Sequence, residues 1–117
     1  MEENQIIQVE EKGNYTILHL YGKFVSEDEA NILKSYLQKY AEQKNNRVIL
    51  DFGYVLYFSS ISLGIIAKED EQYTLNKGKL VICNVPEILK NIFILTKLNS
   101  ILNIFDTLEE SEEEILK

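Results

Sequence analysis

The chain has 117 residues, of which 45% are hydrophobic and 26% are charged, and its formal net charge at pH 7 is −7. This length and composition predict one globular domain, residues 1–117, with a single modest core. The acidic balance and the single arginine, Arg47, argue against binding of nucleic acid, which needs clustered basic side chains to neutralise phosphates.

The first part of the chain predicts a β-hairpin followed by an amphipathic helix. Residues 6–9 and 15–21 are apolar runs typical of two strands joined by a tight turn, and large residues on both faces of the second run predict a central strand. We expect Gly22 to end that strand. A capping box formed by Ser26 and Glu29 then starts a helix. Its inward stripe is predicted to comprise Ala30, Leu33, Tyr36, Leu37, Tyr40 and Ala41.

Residues 47–67 carry the most informative pattern in the chain. A short apolar run at residues 48–50 predicts a buried strand that ends near Asp51. A connection follows, and then Ser59 and Ser60 stand where a new helix begins. Unpaired amides at a helix start favour an anion or phosphate, so the serine pair lies at an electrostatically positive position.

The second helix is predicted to run to about Leu75, apolar all round in its first half and solvated over residues 68–72. Gly78 is expected to close it. A buried strand, Lys79–Cys83, comes next, and Pro86 fits the first position of a third helix. The residues predicted to face inward from this helix are Ile88, Leu89, Ile92, Phe93 and Leu95.

The end of the chain predicts a last strand at residues 101–105 and a short acidic helix. Thr107 and Glu110 form a second capping box that opens this helix. We expect it to dock through Leu108, Ile115 and Leu116, with its glutamates in water. The acidic run at residues 109–114 is interpreted as a solvated face, with attraction to a basic partner surface as the alternative.

The resulting order, β-β-α-β-α-β-α-β-α, predicts an α/β domain. Its mixed sheet of four to five strands combines the N-terminal hairpin with a parallel βαβαβ portion that has right-handed crossovers. The strand at residues 47–51 is expected to be central. Ser59 and Ser60 then lie at the carboxyl edge of the sheet, where function is usually found.

The residues that carry chemistry do not form a catalytic pattern. His19 is alone in a strand, and Cys83 at the end of a buried strand is expected to be inert. Asp51 and Asp106 follow strands near the same edge, but solvated or capping roles are expected for them. No phosphate-binding loop, dinucleotide fingerprint or nucleophile elbow is present. We therefore predict no enzyme, no metal and no cofactor, with a nucleophilic Ser59–Ser60 pair as the remaining enzymatic alternative.

The sequence also indicates the compartment. No apolar run approaches the roughly 18 residues that a membrane-spanning helix needs. The first residues are acidic and lack the order of a secretory signal. Cys83 is the single cysteine and cannot form an internal disulfide, which suits a reducing compartment. We expect a cytoplasmic protein that does not insert into a membrane.

The serine region resembles the signature of the STAS domain, the anti-sigma factor antagonist family. In that signature a strand ending in Asp is followed by V-x-F-hydrophobic-D-S-S/T-G-L-G, and the matching run here is residues 55–64. Asp51 matches the aspartate that ends the strand, and Ser60 falls on the serine that the family's kinases phosphorylate. Ser59 replaces the family's aspartate before that serine, and Ser62 replaces its glycine two positions later.

The resemblance extends over essentially the whole chain. Residues 96–99 and 103–110 are similar to the family's ending T-G-L-D…F-x-I-F/Y-D-S/T-x-E-E, with Lys97 in place of glycine. The family's fold implies about four helices that lie mainly on one face of the sheet.

The resemblance implies an anti-sigma factor antagonist. Its partner would be an anti-sigma factor that is a serine kinase of the histidine-kinase-like ATPase type, with a serine phosphatase as a further partner. Phosphorylation is expected on Ser60, with Ser59 as the second choice, and the expected partner surface comprises Tyr57, Phe58, Ser59, Ser60 and Ser62. We expect a monomer or a weak homodimer.

Two alternatives remain open on the sequence. The substitutions at Ser59 and Ser62 favour a STAS scaffold or an accessory subunit of a signalling or transport assembly that no kinase modifies. Serine is also among the best residues for starting a helix, so Ser59 or Ser60 could serve only as a cap.

Overall fold

Residues 6–117, the part of the chain that the structure describes, form five strands and four α-helices in the predicted order. The structure is a computed structural model, and residues 1–5 of the predicted domain lie outside the described part. The strands are β1 (Ile7–Glu11), β2 (Thr16–Phe24), β3 (Arg47–Phe58), β4 (Lys79–Cys83) and β5 (Asn103–Phe105). The helices are α1 (Glu27–Ala41), α2 (Ser60–Leu75), α3 (Glu87–Leu95) and α4 (Leu108–Ile115), with a 3-10 turn at Leu98–Ser100.

The strands of the described chain form one mixed sheet in the order β1-β2-β3-β4-β5. β1 and β2 pair antiparallel across the hairpin, whose turn holds Gly13 at a φ of 83°. All other neighbours pair in parallel. The mixed α/β sheet with β3 at its centre is therefore confirmed.

Apolar side chains cover both faces of the sheet. The larger core fills the space between one face and the helices α1, α2 and α3. Alternate residues of the same strands form a smaller core on the opposite face, beneath α4. This smaller core consists of Ile17, Ile49, Val81, Cys83 and Ile115, with Leu108 packed against it. Three helices on one face and one on the other agree with the predicted arrangement. No helix within residues 6–117 is both long and apolar enough to cross a bilayer.

Two strands run further than the sequence predicts. Gly22 does not end β2, because its φ of 84° lets the strand bend and continue to Phe24. β3 continues beyond Asp51, through the predicted connection, as far as Phe58. It pairs with β2 throughout, but carries one extra residue at each of two register shifts, the second being Leu56. Such bulges break the two-residue alternation that identifies a strand in sequence.

The burial pattern of α2 differs from the prediction in both halves. Ile61 is exposed, so the first half is not buried all round, whereas Glu69 in the predicted solvated half is only 3% exposed. Lys77, not Gly78, takes the left-handed conformation after the helix, with a φ of 61°. Gly78 is needed for another reason, since a Cβ there would lie 2.4 Å from the carbonyl oxygen of Asn46.

α3 and α4 each bury fewer side chains than predicted. On α3, Leu89 and Phe93 are buried, but Ile88 and Leu95 point to solvent because only one narrow stripe of the helix meets the sheet. Leu116 lies beyond the end of α4 and is exposed as well. The helix positions are thus confirmed, while the predicted apolar stripes are too wide.

Local contacts fix the starts of α1 and α4. Both predicted capping boxes are present. The Glu29 carboxylate accepts from the amide of Ser26 at 2.9 Å, and Thr107 Oγ accepts from the amide of Glu110 at 3.1 Å. Each cap satisfies amides that a helix start leaves unpaired. Two glutamates of α4 are not fully solvated, because Glu112 accepts a hydrogen bond from the hydroxyl of Tyr15 and the partly buried Glu114 pairs with a lysine of β4 at 2.9 Å.

Candidate functional site

Ser59 stands between β3 and α2 and caps the helix. Its backbone is extended, and its Oγ accepts from the amide of Ser62 at 3.1 Å. The same hydroxyl donates to Ser62 Oγ, also at 3.1 Å. A side-chain oxygen in this place satisfies an amide that the helix start would otherwise leave unpaired. The hydroxyl of Ser59 is therefore already used inside the chain.

Ser60 is the first residue of α2, and its surroundings differ from those of the two serines beside it. It is exposed, and its hydroxyl forms no hydrogen bond with any residue in the described part of the chain. Ser62, by contrast, is completely buried. The first turn of α2 contains no acidic residue. A negative group on Ser60 would therefore meet the positive end of the helix dipole without a like charge in the same turn.

The strand end that leads to the serines is held by aromatic packing. Phe58 is fully buried, with its ring 5.0 Å from that of Phe24 and 4.8 Å from that of Phe52. Tyr57, one residue earlier, is about half exposed. Adjacent residues at the end of this strand thus have different structural roles, because they point to opposite faces of the sheet. Phe58 anchors the end of β3 in the core, and Tyr57 faces solvent beside the start of α2.

The structure divides the predicted partner surface into two groups. Tyr57, Ser59 and Ser60 are accessible at the carboxyl edge of the sheet. Phe58 and Ser62 have completely buried side chains, so their predicted place on the surface is corrected, and they support it from below. The contact of the accessible residues with a partner stays a prediction.

Sequence reasoning missed further exposed apolar side chains around the serines. Val25 follows the end of β2, Tyr54 and Leu56 lie on the second half of β3, and Ile61 is in the first turn of α2. Val25, Tyr54 and Leu56 lie at or just after the carboxyl ends of β2 and β3, and Ile61 lies at the start of the helix that follows β3. The apolar run of residues 54–58 carries this signal, but a run that is predicted to be a connection gives no strand alternation from which outward-facing and inward-facing positions can be told apart.

The sequence suggested that His19 is isolated in its strand, but the structure places a carboxylate beside each of its ring nitrogens. Its Nδ1 lies 2.7 Å from Asp51 Oδ2, and its Nε2 lies 2.9 Å from Glu10 Oε1. Asp51 is only 6% exposed, which corrects its predicted solvated or capping role. It also accepts from Asn84 Nδ2 at 3.0 Å and from the amide of Gly53 at 2.9 Å. The network joins β1, β2, β3 and the residue after β4.

Electrostatics favour a charged His19 in this network. Burial lowers the pKa of His19, but the hydrogen bonds and charges of Glu10 and Asp51 outweigh it and hold the pKa above its ordinary value. The bonds to His19 and Lys12 in turn lower the pKa of Glu10. An imidazolium can donate from both nitrogens, which matches a carboxylate on each side. The arrangement ties three strands together and holds no nucleophile.

The remaining candidates from the sequence do not join a site. Asp106 is exposed before α4, and no hydrogen bond joins it to Asp51 among the residues described. Cys83 lies beneath α4, and burial raises the pKa of its thiol to about 12, which agrees with the expected inert cysteine. Within residues 6–117, no group of three or more His, Cys, Asp or Glu side chains is placed to hold a metal ion.

Comparison with known proteins gives the same family as the sequence signature. A family model described as the STAS domain matches residues 7–111. A Thermotoga maritima protein described as a candidate anti-sigma factor antagonist has a TM-score of 0.85 and 22% identity, over 97% of each chain. An anti-sigma factor antagonist from Mycobacterium paratuberculosis has a TM-score of 0.80 and 15% identity, over 95% of this chain and 93% of its own.

A third solved structure is the Bacillus cell fate determinant SpoIIAA in its phosphorylated form. It has a TM-score of 0.72 and 14% identity, over 95% of this chain and 99% of its own. At these low identities the three structures show a shared fold. No curated protein matches the chain by sequence.

Proposed function

The chain belongs to the STAS domain family, and from this premise we propose that it is an anti-sigma factor antagonist. It is a cytoplasmic regulatory protein, not an enzyme, and it binds an anti-sigma factor that is a serine kinase of the histidine-kinase-like ATPase type. The unmodified chain captures this partner. Phosphorylation of Ser60 ends the binding, and a serine phosphatase restores it.

The observation that carries this proposal is the difference between the three serines at the start of α2. Ser59 uses its hydroxyl as the helix cap, and Ser62 is completely buried. Ser60 is exposed and its hydroxyl has no partner within residues 6–117. Of the three, only Ser60 offers a kinase a free hydroxyl without breaking the helix start. This supports Ser60, and not the second choice Ser59, as the acceptor.

The surroundings of Ser60 suit a switch. A phosphoserine brings about −1.5 to −2 charges, which the N-terminus of α2 tolerates within the folded chain. At a protein contact the same charge would lie beside the exposed apolar side chains of Tyr57 and Ile61. Burying a charge against apolar groups without a partner is costly. Phosphorylation therefore weakens an apolar contact while leaving the domain folded.

The residue before the acceptor sets the expected rate of modification. Ser59 stands where the family signature has an aspartate, so a carboxylate beside the reacting hydroxyl is missing. We expect phosphorylation of this chain to be slow, which leaves it in the binding form most of the time. Aspartate is as good a helix cap as serine. Ser59→Asp should therefore keep the start of α2 intact while it restores the carboxylate.

The experiment begins with capture of the partner. The chain, immobilised through its C-terminus, should retain a histidine-kinase-like ATPase from lysate of its native organism, identified by mass spectrometry. The purified ATPase with Mg-ATP should then phosphorylate the parent on Ser60, Ser60→Ala not at all, and Ser59→Asp faster than the parent. Ser35→Ala, at an exposed serine on α1, is the matched control and should behave as the parent. Phosphate mapped to Ser59 or Ser62 would refute the assignment.

A scaffold is the second candidate, favoured by the replacement of two signature residues at Ser59 and Ser62. A STAS scaffold needs no kinase and would assemble with copies of itself or with larger machinery. Size-exclusion chromatography with light scattering separates the two functions. A monomer or weak dimer agrees with the switch, whereas a large, stable homo-assembly together with no detectable phosphorylation would favour the scaffold.

A further inference from the structure

A polar cleft of about 280 Å³ lies between α1 and α2. Its lining residues recur at spacings of four on each helix, which places them on one side of that helix. No aromatic or large apolar side chain belongs to this lining in the described part of the chain. The cleft therefore suits a small polar ligand, and not a lipid chain or an aromatic ring. Its charged and amide side chains include Lys34, Gln38 and Glu42 on the side of α1, and Lys68, Glu69 and Gln72 on α2.

Glu69 is the buried polar residue of this lining, with 3% of its surface exposed. Its Oε2 accepts a single long hydrogen bond, 3.3 Å, from Nε2 of Gln38. Its Oε1 accepts no hydrogen bond from residues 6–117, yet this oxygen keeps access to solvent. Because Glu69 lines the cleft, that access leads through the cleft. Glu69 therefore presents a free acceptor at the base of a cleft that has room for a donor.

The carboxylate of Glu69 also lacks a counter-ion. It forms no ion pair within residues 6–117, although Lys34 and Lys68 line the same cleft. Burying a carboxylate without a cation is costly, because nothing replaces the water that it loses. A bound cation would remove that cost. The two lysines are likewise unpaired within the described chain, so they stay available for an anion.

We propose that this cleft binds a free α-amino acid, whose ammonium group pairs with Glu69 and whose carboxylate lies beside Lys34 and Lys68. An ammonium group donates three hydrogen bonds, which matches the free Oε1 and the weakly used Oε2 of Glu69. The amides of Gln38 and Gln72 can both donate and accept, so they can serve either end of the ligand. The cleft thus offers both signs of charge, as recognition of a zwitterion requires.

Other classes of ligand match the cleft less well. A metal ion prefers several protein ligands at once, and residues 6–117 contain no cluster of three or more His, Cys, Asp or Glu side chains that could supply them. A polyamine would bring further positive charge beside Lys34 and Lys68, which repel it. Drug-sized ligands occupy clefts of about 300–1,000 Å³, more than is available here. An amino acid carries both charges in a smaller volume.

Amino-acid binding at this cleft is independent of the proposed function. Ser60 is the first residue of α2, whereas Glu69 lies in the second half of that helix. Binding at Glu69 needs neither a kinase nor a phosphate. Failure of either proposal therefore leaves the other one standing.

NMR titration of the full chain with each common amino acid in turn tests the site. At least one of them should shift the backbone amide signals of residues 34–42 and 68–76 saturably, with a Kd of about 1 mM or lower. Glu69→Gln keeps the size of the side chain and removes its charge, so this variant should bind that amino acid at least about tenfold more weakly. Glu71→Gln, at an exposed glutamate of the same helix, is the matched control and should bind as the parent does.

Two analogues of the bound amino acid separate the roles of its charged groups. The N-acetyl derivative lacks the ammonium charge that pairs with Glu69, and the corresponding amine lacks the carboxylate that lies beside the lysines. Each analogue should bind the parent at least about tenfold more weakly than the amino acid, because each loses a charge-assisted hydrogen bond.

A stability measurement distinguishes a ligand site from a purely structural carboxylate. If Glu69 has no counter-ion in the free chain, Glu69→Gln should leave the urea midpoint unchanged or raise it. A lowered midpoint would show that Lys34 or Lys68 already neutralises the carboxylate, and it would overturn the proposal. The proposal also fails if no amino acid gives a saturable shift, if the shifts lie elsewhere, if Glu69→Gln binds as tightly as the parent, or if either analogue binds as tightly as the amino acid.

Discussion

Removal of His19 tests the network that ties β1, β2 and β3 together. His19→Leu keeps an apolar side chain of similar bulk but deletes both hydrogen bonds to carboxylates. Asp51 keeps the amide of Gly53 and the side chain of Asn84 as hydrogen-bond donors. Loss of its hydrogen bond to His19 should therefore lower the free energy of unfolding by about 1.5–3 kcal/mol, the usual range for a hydrogen bond to a charged group. Glu10 is about half exposed, and its share should be below about 1 kcal/mol. We expect a total loss of about 1.5–4 kcal/mol near pH 6.

The loss should depend on pH in a defined direction. The pKa of His19 is raised above its ordinary value of 6.5, so the stability that it contributes is fully present below pH 6.5 and is lost as the pH rises through the higher folded value. The pKa of Glu10 is lowered from 4.5, so its contribution is present above pH 4.5 and is lost as the pH falls through the lower folded value. The difference between parent and His19→Leu should therefore be largest between about pH 5 and 6.5 and should narrow toward pH 9.

Urea titrations at pH 6 and pH 9 measure both effects. At pH 6 the melting temperature should also fall by about 6–16 °C, at about 4 °C for each kcal/mol in a domain of this size. Glu10→Gln is the control, with an expected loss below about 1 kcal/mol because only the exposed carboxylate changes. A stability difference between parent and His19→Leu that is the same at both pH values, or larger at pH 9, would refute the charged network.

Three further predictions concern the two cores. Leu50 is completely buried in the larger core, so Leu50→Ala should cost about 2–5 kcal/mol in urea titration, and a loss below about 1 kcal/mol would contradict that burial. Truncation before Thr107 removes α4 and uncovers Ile17 and Ile49, so the melting temperature should fall without loss of the fold, whereas an unchanged melting temperature would show that α4 is undocked. Cys83, whose pKa burial raises to about 12, should react with a maleimide only after unfolding, and rapid labelling of the native chain would contradict its burial.

The sequence predicts best those features that are coded locally. The capping boxes at Ser26 and Thr107 place the starts of α1 and α4, because a cap and the amides that it satisfies are at most three residues apart. β4 is predicted at both ends, since Lys79–Cys83 is a short apolar run between turn residues. The order of strands and helices follows from such local signals. That order in turn predicts which strands pair antiparallel, across the hairpin, and which pair in parallel, across a helix.

Features that depend on distant pairing could not be predicted. His19 meets Asp51 only because β2 and β3 pair in one particular register, and the two residues are 32 positions apart in sequence. The continuation of β3 to Phe58 depends on two bulges that no alternation of apolar residues reveals. Glu69 looks like a surface residue in sequence, and it is buried because α1 packs over it, with Gln38 3.3 Å from its carboxylate.

The candidate site was predicted in part for the same reasons. Serine at a helix start is a local signal, so the sequence located Ser59 and Ser60 but could not say which one caps α2. The answer depends on the backbone of Ser59, which is extended and lets its Oγ reach the amide of Ser62. The burial of Phe58 depends on rings contributed by β2 and the middle of β3. A partner surface predicted from the residues near a motif therefore includes both exposed residues, which a partner can contact, and buried residues, which only support them from the core.

The central claim is that a charge on Ser60 controls binding of the anti-sigma factor. Calorimetric titration of the purified ATPase with three chains tests it most directly. Parent and Ser60→Ala should bind with the same affinity within about twofold, while Ser60→Asp should bind at least about tenfold more weakly, a loss of about 1.4 kcal/mol or more. If Ser60→Asp, shown by its melting temperature to be folded, bound as tightly as the parent, the start of α2 would not be the switch.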